Sequence, residues 1–220
     1  MIEDFAKMIP PELLNQSGSV FYSGRDAFSK ESNLYILGIN PGGDPIDQAK
    51  ETLSWHTNKV LHEKPSDWSA YRDDSWLGAS PGSWGMQPRV LHLLKNIDTH
   101  PGSVPASNIV FQRSCRESSI NGNMRDLAEI CWPFHRAVIE KTNPRAILCF
   151  GKTAGKFVCE KIGANRQVDE FIEKNNRHWR SQTFINIHGI KVVVATHPSI
   201  ANWCATSTDP SILVKRALEE

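Results

Sequence analysis

The run Asn33-Leu34-Tyr35-Ile36-Leu37-Gly38-Ile39-Asn40-Pro41-Gly42-Gly43 constrains this chain more than any other segment. A short apolar strand is cut off by a polar residue set in glycine and proline turn chemistry. The unbroken apolar stretch over 34–39 is what a strand buried on both faces of a parallel sheet requires. In an open α/β sheet, ligands bind in the crevice beyond the carboxyl ends of the strands. Asn40 therefore stands where a side chain is presented to a ligand, and Gly42 and Gly43 allow close approach to the backbone. A second run, Lys191 to Thr196, ends in the same way at His197-Pro198-Ser199. Two strand ends, each with one polar group followed by proline, make a candidate active site.

The remaining pattern alternates strands with helices. Apolar runs at 108–111 and 146–150 read as strands two and three, and the spacing of Val90, Leu91, Leu93, Leu94 and Ile97 predicts a helix over 87–96. A helical pattern covers 127–141, and Pro133 places the start of its main part at the proline, in a first-turn position. Polar turn residues precede it up to about Arg125. Helices are expected over 153–161 and 211–220, and a hairpin over 183–195 with its turn at His188-Gly189; the charged stretch 166–180 carries no strand signal. The expected fold is α/β, a three-layer αβα arrangement with a central, mostly parallel four-stranded sheet. It forms one domain over 1–220, with 1–32 as an N-terminal lead-in and 44–86 as a tryptophan-rich loop or lid, a length that is either functional or hides a short helix.

Composition narrows the function classes. The formal net charge of +1 supplies no global field for a polyanion, so any nucleic acid must be held by local patches. The five cysteines form no C-x-x-C pair and no zinc spacing, and their odd number points to a reducing compartment. The chain lacks the signature of a signal peptide or a membrane-spanning run, so a soluble, cytoplasmic protein is expected, nuclear in a eukaryote. Gly151-Lys152-Thr153-Ala154-Gly155-Lys156 lacks the glycine spacing of a P-loop. Taken singly, Asn40 reads as a turn former and His197 as a core histidine; their joint occurrence favours function.

Taken together, Gly38-Ile39-Asn40-Pro41-Gly42, Asn108-Ile109-Val110-Phe111 and His197-Pro198-Ser199 resemble, in order and spacing, the uracil-DNA glycosylase superfamily. The first run is similar to the water-activating motif in the Asn form of the mismatch-specific and single-strand-selective branches. The likeness spans roughly residues 33–204. It implies a glycosylase that hydrolyses the N-glycosidic bond of uracil or a related damaged base in DNA after flipping the base. A catalytically weak member that binds nucleic acid or nucleotide in the same pocket is the alternative. Neither metal nor cofactor is implied, the four-cysteine spacing of iron–sulfur branches is missing, and a monomer with DNA as partner is expected.

The resemblance makes Asn40 the positioner of the attacking water and His197 the stabiliser of the departing base. With Asn40 it assigns Gly38, Ile39, Pro41 and Gly42 to the substrate pocket. Asn108 matches the reader of uracil, an amide offering one donor and one acceptor side by side, although a cap at the start of a central strand fits it equally. The stacking aromatic is Trp84, with Phe111 as second choice. The DNA-contacting set is Gly43, Pro198, Ser199, Ile200, Trp203 and Arg113. Ile200 or Trp203 is the wedge that fills the gap left by the flipped base, and Gly43 and Ser199 lie against flanking phosphates.

Overall fold

The computed structural model describes residues 2–120 and 124–219; part of the expected polar turn, 121–123, lies outside them. In chain order the elements are α1 (Ile2–Ala6), β1 (Leu34–Gly38), α2 (Leu53–His62), α3 (Ala70–Asp73), α4 (Gln87–Asn96), β2 (Ala106–Asn108), α5 (Met124–Thr142), β3 (Ala146–Phe150), α6 (Lys152–Ile162), β4 (Arg166–Ile172), β5 (Arg180–Ile185), β6 (Lys191–Ala195) and α7 (Ser211–Glu219). The strands form a six-stranded sheet in the order β2-β1-β3-β6-β5-β4. The first four neighbours run parallel, and β5 and β4 add an antiparallel edge. The α/β class holds, whereas the expected four-stranded sheet is corrected to a mixed six-stranded one. The stretch 166–180 escaped notice because β4 is a mostly exposed edge strand with charged residues, without the apolar alternation that marks a half-buried strand.

Period-two geometry divides the core. Tyr35 and Leu37 of β1 face a layer formed by α1, α2, α5 and α6, while Leu34 and Ile36 face α4 and α7 on the other side. β1, β3 and β6 are buried along their whole length, which explains their continuous apolar runs. Residues 2–32 are an integral part of this core: Val20, Phe21, Ala27 and Phe28 are fully buried. Segment 17–24 also covers the free edge of β2, with Tyr22 N–H donating to Ala106 C=O and Ser107 Oγ donating to Val20 C=O. The tryptophan-rich segment 44–86 holds two short helices, α2 and α3.

Two further expectations change. Strand two ends at Asn108 instead of beginning there, and it lies at the sheet edge. Ile109, Val110 and Phe111 are apolar because the chain turns down into the core after Asn108, where all three are fully buried. Helix α5 runs through Pro133 without a new start. Pro133 sits on the solvent face, where water can satisfy the carbonyl that loses its intrahelical partner, while Trp132 and Phe134 on either side are buried.

The parallel strands β2, β1, β3 and β6 bring all their carboxyl ends to one edge. From β1 the chain moves to one side to form β2 and to the other to form β3, so the topological switch falls at β1. The crevice at such a point is the expected place for a ligand.

Candidate active site

At that edge opens a cavity of about 1260 Å³. Asn40, Asn108 and His197, which follow or end β1, β2 and β6, all line it.

The amide of Asn40 is oriented by two acceptors. Its Nδ2 donates to Pro41 C=O at 2.8 Å and to Ser114 Oγ at 2.8 Å, and Ser114 Oγ in turn donates to Arg116 C=O. Because a carbonyl only accepts, the NH2 end must face Pro41, and Oδ1 is left as an acceptor with no partner among the described residues. Such a group can hold a water but is no useful base near neutral pH.

Asn108 is only 7% exposed, and its Nδ2, beside the Tyr22 phenol, makes no hydrogen bond of good geometry among the described residues. A buried unsatisfied donor costs about 1–3 kcal/mol, so a bound acceptor would relieve it. Its register partner is Gly38, and a Cβ there would lie 2.2 Å from Asn108 Oδ1. Only glycine admits the amide at this place.

On the third strand end, His197 Nδ1 accepts from Ser199 N–H at 3.1 Å and faces Ser199 Oγ at 2.8 Å. A backbone N–H can only donate, so the ring proton of the neutral imidazole resides on Nε2. The loop is closed by Ile200 N–H and Ala201 N–H donating to His197 C=O, and Arg89 Nη1 of α4 donates to Pro198 C=O. Gly151, at φ +88°, makes the turn from β3 into α6 beside the His197 ring.

The other expected residues divide between wall and support. Gly38, Ile39, Gly42, Gly43, Trp84, Arg113, Ser199 and Ile200 line the cavity. Trp84 and Ile200 are 48% and 56% exposed, so an indole and an apolar side chain stand at the mouth. Pro41 is buried, and its carbonyl accepts from Asn40 and from Ser114 N–H. Pro198 is buried behind the histidine. Phe111 is fully buried edge-on against Phe134, away from the cavity lining. Trp203 is likewise fully buried: it packs edge-on against Phe150, and its Nε1 donates to Thr196 C=O at 3.0 Å. It supports the loop from beneath, which leaves Ile200 as the exposed apolar residue of that loop.

Arg113 is committed within the protein. Its guanidinium donates to Gly42 C=O at 2.7 Å, to Ser17 Oγ and to Glu51 Oε2 at 3.0 Å. It braces the Asn40-Pro41-Gly42 turn, and its side chain is only 10% exposed.

Several wall residues carried no readable signal of function. Trp55, His56 and Lys59 come from α2, Lys152 from the start of α6, and Trp179 and Arg180 from the β5 end of the β4–β5 hairpin. Burial, aided by the nearby charges of Arg113, Lys64 and Lys59, pushes His56 down to about 3, so it stays neutral near pH 7. Of the lining carboxylates, Glu51 pairs with Arg113 and Asp74 with Lys64. Among the described residues no group of three or more His, Cys, Asp or Glu side chains is placed to hold a metal ion, and no helix is long and apolar enough to cross a membrane. In comparisons with known proteins, neither a family model nor a curated protein matches this sequence.

Proposed function

We propose that this protein is a DNA glycosylase with a uracil-DNA glycosylase-like fold, excising uracil or a related damaged base that has been flipped out of the strand. One observation carries the reading: the three polar groups singled out by sequence, Asn40, Asn108 and His197, line one aromatic-walled cavity at the switch point of the sheet. Breaking the N-glycosidic bond puts positive charge on the sugar and negative charge on the leaving base. The Nε2–H of His197 donates to the base oxygen as that charge develops, a role worth about 3–4 kcal/mol in comparable sites. Asn40 Oδ1 holds the attacking water, and Asn108 reads the base edge with its buried amide. Trp84 offers a stacking face and Ile200 the wedge that replaces the flipped base.

The test is incubation with uracil-containing and mismatched oligonucleotides followed by alkaline cleavage at abasic sites. Strand cleavage that disappears in Asn40→Ala and His197→Ala supports the reading. Intact strands with every lesion tried, from protein shown to be folded, overturn it. A binding-only member is favoured by a separate observation: the attacking water would be held by an amide, and both lining carboxylates, Glu51 and Asp74, are tied to cations. Lesion binding that persists in both alanine variants, without turnover in the wild type, selects that alternative.

A further inference from the structure

We infer that the substrate enters as an unpaired strand, with bases flanking the target stacked on two tryptophan–cation pairs, Trp55–Lys59 and Trp179–Arg177. The inference rests on the glycosylase reading for what occupies the centre of the cavity. Its own support lies in the walls.

The cavity, at about 1260 Å³, exceeds the roughly 300–1,000 Å³ of ordinary small-ligand pockets, so a single nucleoside leaves much of it unfilled. Helix α2 buries Leu53, Thr57 and Val60, which turns Trp55 and Lys59, four residues apart, onto a shared outer strip. Lys59 Nζ lies 4.2 Å from the Trp55 ring centre, and the indole remains 41% exposed at the cavity wall. The second pair comes from the hairpin beyond β6 in the strand order. Arg177 Cζ lies 4.6 Å from the Trp179 ring centre, and Trp179 lines the same cavity.

The hairpin tip is built, not slack. Asn175 Oδ1 accepts from both Arg177 N–H and His178 N–H, Glu173 N–H donates to Trp179 C=O, and His178 is held at φ +48°. Arg177 Nη1 also reaches Ile200 C=O at 3.4 Å, tying the tip to the loop that carries His197. Neither Lys59 nor Lys152, both lining the cavity, has an ion-pair partner among the described residues, so the wall offers positive charge to a phosphate backbone. Aromatic faces alternating with cations form a platform for single strands, whereas in a duplex the flanking bases are already paired and stacked.

The experiment titrates fluorescently labelled oligonucleotides of increasing length, with one uracil or none, as single strands and as duplexes. Wild type, Trp55→Ala, Trp179→Ala and Trp179→Phe are compared after circular dichroism confirms folding. The expected result is affinity that rises with single-strand length, exceeds that for the matching duplex, and falls about tenfold in each alanine variant for the longer strands. Trp179→Phe, which keeps an aromatic face, retains most of the gain. Affinity independent of length, a duplex bound more tightly than its single strand, or alanine variants that keep the whole length gain would each overturn the inference. Length-dependent binding of uracil-free strands without any excision would sink the glycosylase reading while leaving the platforms standing.

Discussion

Gly38 and Asn108 are register partners on adjacent parallel strands, and a Cβ on Gly38 would sit 2.2 Å from Asn108 Oδ1. The glycine of the first motif and the amide of the second are one steric unit, although 70 positions separate them in the chain. Gly38→Ala is therefore expected to displace Asn108 and to cost about 1–3 kcal/mol through overpacking, read as a lower urea midpoint. In an Asn108→Ala background the same change should cost little, because the clashing atom is gone. A double-mutant cycle reads this coupling directly, and additive effects would disprove it.

A carboxylate at position 40 would lose the two hydrogen bonds that orient the Asn40 amide. Asn40 spends both amide hydrogens on Pro41 C=O and Ser114 Oγ, and an aspartate would set a carboxylate oxygen against the Pro41 carbonyl. Asn40→Asp should lose stability by about 1–3 kcal/mol at pH 7. On the proposed glycosylase function, its base excision should fall below the wild-type rate. A stable variant with faster excision on uracil-containing strands would refute the orientation argued for the amide.

Arg113 braces the loop from within the protein. Its contacts to Gly42 C=O, Ser17 Oγ and Glu51 leave it little freedom to reach outward. On the proposed function, Arg113→Gln should weaken oligonucleotide binding and excision by loosening the Asn40 turn, yet leave the slope of log affinity against log salt unchanged. Loss of a phosphate contact would lower the magnitude of that slope by about 0.7–0.9. Binding measured across a salt series separates the two.

Acid should destabilise the fold through His135. This side chain is fully buried on α5 with Nδ1 2.8 Å from Tyr35 Oη, and burial pushes it down to about 3. In the unfolded chain a histidine titrates near about 6.5, so between those values the unfolded state binds more protons and stability rises with pH. The contribution is complete above about 6.5 and is lost as the pH falls towards 3. Between pH 7.5 and 5 it amounts to about 2 kcal/mol for this residue. Urea midpoints across that range should show the slope, and His135→Gln should reduce it; an unchanged slope in the variant would count against it.

Much of the fold was legible because its signals are local. The apolar runs at 34–38, 146–150 and 191–195 are buried on both faces and are continuous in sequence for that reason. The helix over Gln87–Asn96 followed from apolar spacing alone. The antiparallel pair β4–β5 was half missed, since an exposed edge strand has no apolar alternation to read.

The candidate site divides along the same line. By itself, the sequence determined that Asn40 and His197 stand just beyond strand ends, because glycine and proline act on the backbone where they occur. Which aromatics form the cavity wall was decided only in three dimensions. Phe111 and Trp203 are core, while Trp55 and Trp179 face the cavity, and nothing in their immediate neighbours distinguishes them. Burial is set by what packs on a side chain from distant elements. The same holds for Arg113, whose bond to Glu51 turns a residue that reads as a phosphate contact into a brace for the Asn40 turn.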